Sequence, residues 1–270
     1  LPVVGRASVV AAPDDGALSA AELGAGALGA GALSPAGALG AGALSLDGAG
    51  CDGPLSDADG PVADGPVIQA AADRALRAGV RVDDCFALIA GLRARYPAVP
   101  IGILTYANLL KARGRDRFMA DAVAAGADSL LVADVPSLEA EPYAMSARAA
   151  GLDWVMIAAP NTPRAVIARI AALSSGYTYC VARAGVTGTR TTLELDHAEL
   201  FAALAEAGAP PPVLGFGISS AEQVGQAIEA GAAGVIMGSA LVRLGDDVEA
   251  LCKLVGEAKR ATSKRQAQEG

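Results

Sequence analysis

The chain has 270 residues with 53% hydrophobic and 19% charged side chains, which excludes disorder throughout and gives room for one large domain or two small ones. Its formal charge of −8 argues against a nucleic-acid groove or an anionic membrane as partner. Residues 1–60 hold Asp14, Asp15, Glu22, Asp47, Asp52, Asp57 and Asp59 against Arg6 alone, so most of that charge sits in the first quarter.

That quarter contains 16 Ala, 13 Gly and no aromatic residue. Gly-Ala-Leu recurs from residues 16, 26, 31, 37 and 42, at spacings that match no solenoid. Glycine at this density costs about 1 kcal/mol per helical position, which disfavours a long helix. The uncharged run Leu23 to Leu46 has the length of a membrane span, but Gly, Ala and Pro35 leave it too weakly apolar to insert. No basic segment followed by an apolar run marks a signal peptide, and Cys51, Cys85, Cys180 and Cys252 are too scattered for a zinc or disulfide pattern. Buried thiols in a reducing cytoplasm are the expectation. The organisation read is an irregular low-complexity segment over 1–60, a body over 61–262 and a polar tail over 263–270.

From residue 66 onward, short apolar runs alternate with amphipathic stretches. Strands are predicted at Ile101–Tyr106, Ser129–Ala133, Trp154–Ala158, Tyr177–Ala182, Val213–Gly217 and Gly234–Gly238. Helices are predicted at Asp83–Tyr96, Asp116–Ala125, Thr162–Leu173 and Ala221–Ala230, and Ser8–Ala12 reads as a poor first strand. Buried strands separated by helices imply parallel pairing with right-handed crossovers. Six units follow residue 100 and two more fit before it, the size of an α/β (β/α)8 TIM barrel in a single domain. A doubly wound open sheet is the alternative, and it would place a Gly-rich fingerprint after its first strand, where none occurs.

Chemistry in such barrels gathers at the strand ends. The sixth strand runs into Arg183-Ala184-Gly185-Val186-Thr187-Gly188, the seventh into Gly215-Phe216-Gly217-Ile218-Ser219, and the eighth into Met237-Gly238-Ser239. Three Gly-containing turns at successive strand ends fit a phosphate cradle, because glycine lets backbone N–H groups approach the oxygens. Each turn alone is equally a barrel corner. His197 is expected at the surface near the start of a helix, and no Cys or His grouping suggests nucleophilic or metal chemistry.

These motifs carry a resemblance. Ser175 to Gly188, Leu104-Thr105-Tyr106-Ala107-Asn108-Leu109, Leu131-Val132-Ala133-Asp134-Val135-Pro136, Gly215 to Ser219, and Ala63-Asp64-Gly65-Pro66-Val67-Ile68-Gln69 resemble segments of the tryptophan synthase α subunit family, and the five occur along the chain in the family's order. The resemblance implies retro-aldol cleavage of indole-3-glycerol phosphate to indole and glyceraldehyde 3-phosphate in tryptophan biosynthesis. It implies no cofactor or metal, pyridoxal phosphate being expected only on a β subunit with which the chain forms an α2β2 complex. Asp64 matches the carboxylate facing the indole N–H, and Tyr179 a tyrosine pointing into the site. Gly188, Gly217, Gly238 and Ser239 match the phosphate cradle, with Phe216 and Ile218 alongside. Leu104, Leu131, Ala133, Ile157 and Ile236 would form the indole slot, Thr187 would contact Asp64, and Asp57, Asn108 and Pro136 would face the β subunit. The family's catalytic glutamate has no counterpart at its usual spacing, eleven residues before Asp64, where Gly53 stands. Asp47 is the substitute carboxylate favoured over Glu22 and Asp52. Two other readings compete with the lyase: a weakly active or inactive barrel that binds and modulates a β subunit, and a barrel for another sugar phosphate.

Overall fold

The computed structural model describes residues 6–8, 10–11, 66–181, 197–215 and 217–262. Six strands form a continuous parallel ladder: β3 (Gly102–Thr105), β4 (Ser129–Val132), β5 (Asp153–Ala158), β6 (Thr178–Val181), β7 (Pro212–Gly215) and β8 (Gly234–Ile236). Each lies within a residue or two of its predicted run.

Two further short strands, β1 (Arg6–Ser8) and β2 (Val10–Ala11), pair with the opposite edges of that ladder, β1 with β3 and β2 with β8. Only one residue separates them, and an extended chain advances at most ~3.6 Å per residue. The two edges of the sheet therefore approach each other, and the sheet curls into a barrel. Both pairings are antiparallel, whereas parallel pairing was expected throughout. A strand of two or three residues has no local feature that sets its direction, and the free edges of β3 and β8 accept either sense.

Ten helices are described: α1 (Pro66–Arg77), α2 (Val82–Arg95), α3 (Ala107–Arg113), α4 (Arg115–Ala125), α5 (Glu141–Ala150), α6 (Arg164–Leu173), α7 (Ala198–Glu206), α8 (Ala221–Glu229), α9 (Ser239–Leu244) and α10 (Val248–Thr262). The tight returns from helix to strand are made by left-handed glycines. α4 ends at Gly126, with φ +96°, whose N–H donates to Val123 O at 2.9 Å while Ala127 N–H reaches back to Ala122 O at 3.0 Å. This double closure satisfies two terminal carbonyls and aims the chain into β4.

The strands are buried on both faces, and their alternation sorts side chains into two layers. Ile103, Leu130, Val132, Trp154, Met156, Cys180, Leu214 and Val235 pack outward against helix residues such as Phe118, Met119, Ile170 and Val224. Leu104, Leu131, Ala133, Val155, Tyr179, Val181, Val213 and Ile236 turn inward and form a separate cluster. Trp154 stacks on Tyr143 of α5 with centroids 5.9 Å apart, and the Arg115 guanidinium sits 5.8 Å from the Tyr143 ring.

The N-terminal ends of β3 and β4 are bound together by Arg93 of α2. Its Nε and Nη2 donate to Gly126 O at 3.0 and 2.8 Å, and its Nη1 to Pro97 O and Val99 O at 2.7 and 2.9 Å. Nη2 also pairs with Asp128, whose Oδ2 accepts the Ile101 N–H at 2.6 Å. One fork thus serves carbonyls and a carboxylate from two turns, a task for which the planar guanidinium is suited and an ammonium is not.

Candidate functional site

The inward cluster contains Leu104, Leu131, Ala133 and Ile236, with Ile157 partly buried against it, together with Tyr179. All five aliphatic residues proposed for the slot and the tyrosine therefore meet inside one barrel. They do so because each occupies the same parity on its strand. The cross-strand register sets Leu104 opposite Leu131, Leu131 opposite Val155, Ile157 opposite Tyr179, and Tyr179 opposite Val213. Val155, Val181 and Val213 belong to the same lining, and Tyr106 and Tyr177 pack against it. These five were not singled out from the sequence, although counting by two from Leu104 and Tyr179 reaches Tyr106, Tyr177 and Val181.

Tyr179 is 7% exposed. Its ring passes directly over Gly215 at the end of β7: a Cβ there would lie 2.5 Å from the hydroxyl oxygen and 2.6 Å from Cζ. The tyrosine reaches its place only because that residue has no side chain. At the other end of the barrel, Gly102 leaves room in the same way for Ser129, whose Oγ would be 2.8 Å from an added Cβ. Tyr177 is nearby, and burial pushes its phenol up to about 12.

The strand ends carry the polar part of the site. After β7, Gly217 has φ +98° and is exposed, with nothing within 4 Å of where a Cβ would project. Ser219 is held to Gln223, its N–H donating to Oε1 at 2.7 Å, and the Ser220 hydroxyl caps α8 by accepting the Gln223 N–H at 3.3 Å. Ile218, 2% exposed, packs outward with the sheet-to-helix layer. After β8, Gly238 likewise faces open space and precedes Ser239, the first residue of α9. A helix's first-turn N–H groups have no carbonyl within the helix to bond. α9 packs through Val242 on Ile68 and Ala71 of α1, which brings the helix that follows Asp64 beside the turn after β8.

Asn108, the second residue of α3, and Pro136, in the turn that follows β4, are both exposed. The start of α3 and that turn are tied together by Asp134, which accepts the Ala107 N–H at 2.7 Å. Asp47, Asp57, Asp64, Thr187, Gly188 and Phe216 lie outside the described residues.

His197 is a correction. It is 1% exposed rather than on the surface, with its Nε2 3.2 Å from the Val181 carbonyl oxygen. That partner is 16 residues away, so no local signal announces it. Among the described residues, no group of three or more His, Cys, Asp or Glu side chains is placed to hold a metal ion, and no helix is long and apolar enough to cross a membrane. Burial pushes the Cys180 thiol up to about 12, and burial followed by the charge of Asp84 does the same for Cys85.

The profile of the tryptophan synthase alpha chain family matches residues 52–269. The tryptophan synthase alpha chain of Shewanella oneidensis is 50% identical over 177 residues, covering 66% of this chain and 64% of that one. The chain thus spans slightly under two thirds of that relative's length. The alpha chain of Shewanella amazonensis is 47% identical over 204 residues, covering 74% and 76%. Among solved structures, a chain of the tryptophan synthase α2β2 complex of Pyrococcus furiosus superposes with a TM-score of 0.67 at 34% identity, covering 76% of this chain and 83% of that one.

Proposed function

Because this chain belongs to the tryptophan synthase alpha chain family, we propose that it is a carbon–carbon lyase that cleaves indole-3-glycerol phosphate to indole and glyceraldehyde 3-phosphate. One observation carries the reading: an apolar interior with a tyrosine in it adjoins two open glycine turns at successive strand ends. A flat apolar ring and a phosphate are the two ends of that substrate.

The chemistry must turn an indole ring into a leaving group. An acid protonates the ring carbon that bears the side chain, giving an iminium ion. A base then takes the hydroxyl proton of the adjacent carbon. As the carbon–carbon bond breaks, its electron pair returns to the ring and the hydroxyl carbon becomes the aldehyde. One proton is given and one recovered, so a single carboxylate can serve both steps, and nothing is oxidised or reduced. The proposed roles are Asp47 for that proton exchange and Asp64 for accepting the indole N–H, where its charge stabilises the iminium. Tyr179 would pack along the ring, with Leu104, Leu131 and Ile236 as its walls. Backbone N–H groups at Gly188, Gly217, Gly238 and Ser239, beside Phe216 and Ile218, would hold the phosphate. Thr187 would reach Asp64 from the segment after β6 and help exclude water.

The reaction balances without metal or organic cofactor. For partner we propose a tryptophan synthase β subunit, bearing the pyridoxal phosphate, in an α2β2 assembly. Asn108 and Pro136 would contact it, braced by Asp134, with Asp57 at the rim. A soluble cytoplasmic setting follows from such a partner and substrate. The test is release of indole from indole-3-glycerol phosphate, measured with and without β subunit. Indole formed in proportion to enzyme supports the reading, and none in either arm contradicts it.

A further inference from the structure

Beneath the apolar slot the barrel interior changes character. Gly102 and Ser129 stand two residues before Leu104 and Leu131 and are paired in the same register. They are therefore the next inward positions toward the N-terminal ends of β3 and β4, about 7 Å lower. Gly102 has no side chain, and the space where a Cβ would stand is approached from two directions. Ser129 Oγ lies 2.8 Å from that point and the Tyr177 hydroxyl 3.8 Å. Tyr177 immediately precedes β6, which is three strands along the ladder from β3. Its side chain thus crosses the interior, and it packs against the inward cluster. Ser129 is 9% exposed, and burial keeps the Tyr177 phenol protonated, pushing it up to about 12. The slot has apolar walls and a floor of two hydroxyls, each able to donate or accept a hydrogen bond.

We propose that Tyr177 and Ser129 determine the specificity of the slot: their hydroxyls meet the edge of a bound ring that points away from the strand ends, and select a hydrogen-bonding group there over an apolar one of the same size. The ring is the indole of the lyase reading, on which the choice of ligand rests. With its side chain directed at the glycine turns after β7 and β8, the indole turns C6 to the floor, the ring atom furthest from the carbon that carries the side chain. A site built to hydrogen-bond a substituent rejects the analogue that leaves its buried polar groups unpaired. An apolar substituent must also displace a side chain that spans the barrel, which overpacks the interior.

The probes are the 6-hydroxy and 6-methyl derivatives of indole-3-propyl phosphate, which keeps the ring and the phosphate but has no hydroxyl from which cleavage could start. Hydroxyl and methyl groups are similar in size, so the two compounds differ at C6 chiefly in hydrogen bonding. Calorimetric titration of the full chain with each gives a ratio of two Kd values, which a general loss of stability does not move. The parent is expected to bind the hydroxy compound about tenfold more tightly. Tyr177→Phe and Ser129→Ala each remove one hydroxyl and little volume, and each should lower that ratio by about threefold. The double variant should bring it to about one. A parent that binds neither compound, or binds both equally, overturns the proposal. So does a double variant that keeps the parental ratio, because the preference would then arise elsewhere. If the parent releases no indole from indole-3-glycerol phosphate while the ratio behaves as expected, the lyase reading fails and the hydroxyl floor stands.

Discussion

Replacing Gly215 by alanine should destabilise the barrel through one contact, and the size of the effect can be worked out. The added Cβ would stand 2.5 Å from the Tyr179 hydroxyl, 2.6 Å from Cζ and 2.8 Å from Cε2, where carbon–carbon contacts normally begin near ~3.5 Å. The ring must move by about 1 Å, and it has little space to do so, being 7% exposed inside a cluster with Val181 and Val213. Overpacking of this kind costs about 1–3 kcal/mol, offset by roughly 0.4–1 kcal/mol for removing glycine's freedom from the unfolded chain. A net loss of about 1.5 kcal/mol is expected. Trp154 is the chain's single tryptophan and is 2% exposed, so its fluorescence reports urea unfolding directly. With an m-value of about 3 kcal/mol/M, the midpoint should fall by about 0.5 M. In a Tyr179→Leu background the obstructing atoms are gone, and Gly215→Ala should become neutral or mildly stabilising. Equal losses in both backgrounds would refute the steric argument, because a cycle without coupling means that the two residues do not press on one another.

Arg93→Lys should cost about 2–4 kcal/mol, since an ammonium cannot span Pro97 O, Val99 O, Gly126 O and Asp128 at once; the same fluorescence titration measures it, and a loss under 0.5 kcal/mol would contradict the assigned role. Stability should also fall as pH rises above about 9. The Cys85 and Cys180 thiols and the Tyr177 phenol are each pushed up to about 12 by burial, so the unfolded chain releases their protons first and gains stability relative to the fold, by about 1.4 kcal/mol per pH unit for each group. A urea midpoint unchanged between pH 8 and pH 10.5 would rule this out. Iodoacetamide at pH 8, followed by mass spectrometry, should leave Cys180 unmodified in the native chain, its thiolate fraction being only about one in ten thousand; rapid labelling there would show that the strand is open.

How much of this could be read in advance depends on how local each cause is. The parallel ladder was legible because strands buried on both faces are written as continuous apolar runs, and Leu131 and Trp154 sit inside such runs. The inward lining was legible in outline because the family resemblance grouped Leu104, Leu131, Ile236 and Tyr179, and the parity of each along its strand is the physical reason that they share one layer. What escaped depended on partners distant in the chain. Gly215 looks like any barrel-corner glycine until Tyr179 is seen lying over it from the neighbouring strand. His197 looks solvent-facing among Glu194, Asp196 and Glu199 until Val181 O supplies its partner. The direction of Arg6–Ser8 and Val10–Ala11 is set by the edges they meet rather than by their own residues. Asp47 and Asp64, on which the proposed chemistry turns, lie outside the described residues, and their assignment rests on motif resemblance.

The most direct measurement of the lyase reading is therefore the rate of indole release from indole-3-glycerol phosphate, with β subunit present, by the parent chain and by Asp64→Asn. The amide keeps the shape of the side chain but loses the charge that stabilises the iminium, a change worth about 100-fold or more in rate. The account predicts indole from the parent and at least that loss in the variant, with the Trp154 unfolding midpoint unchanged. Equal rates from the two proteins would contradict it.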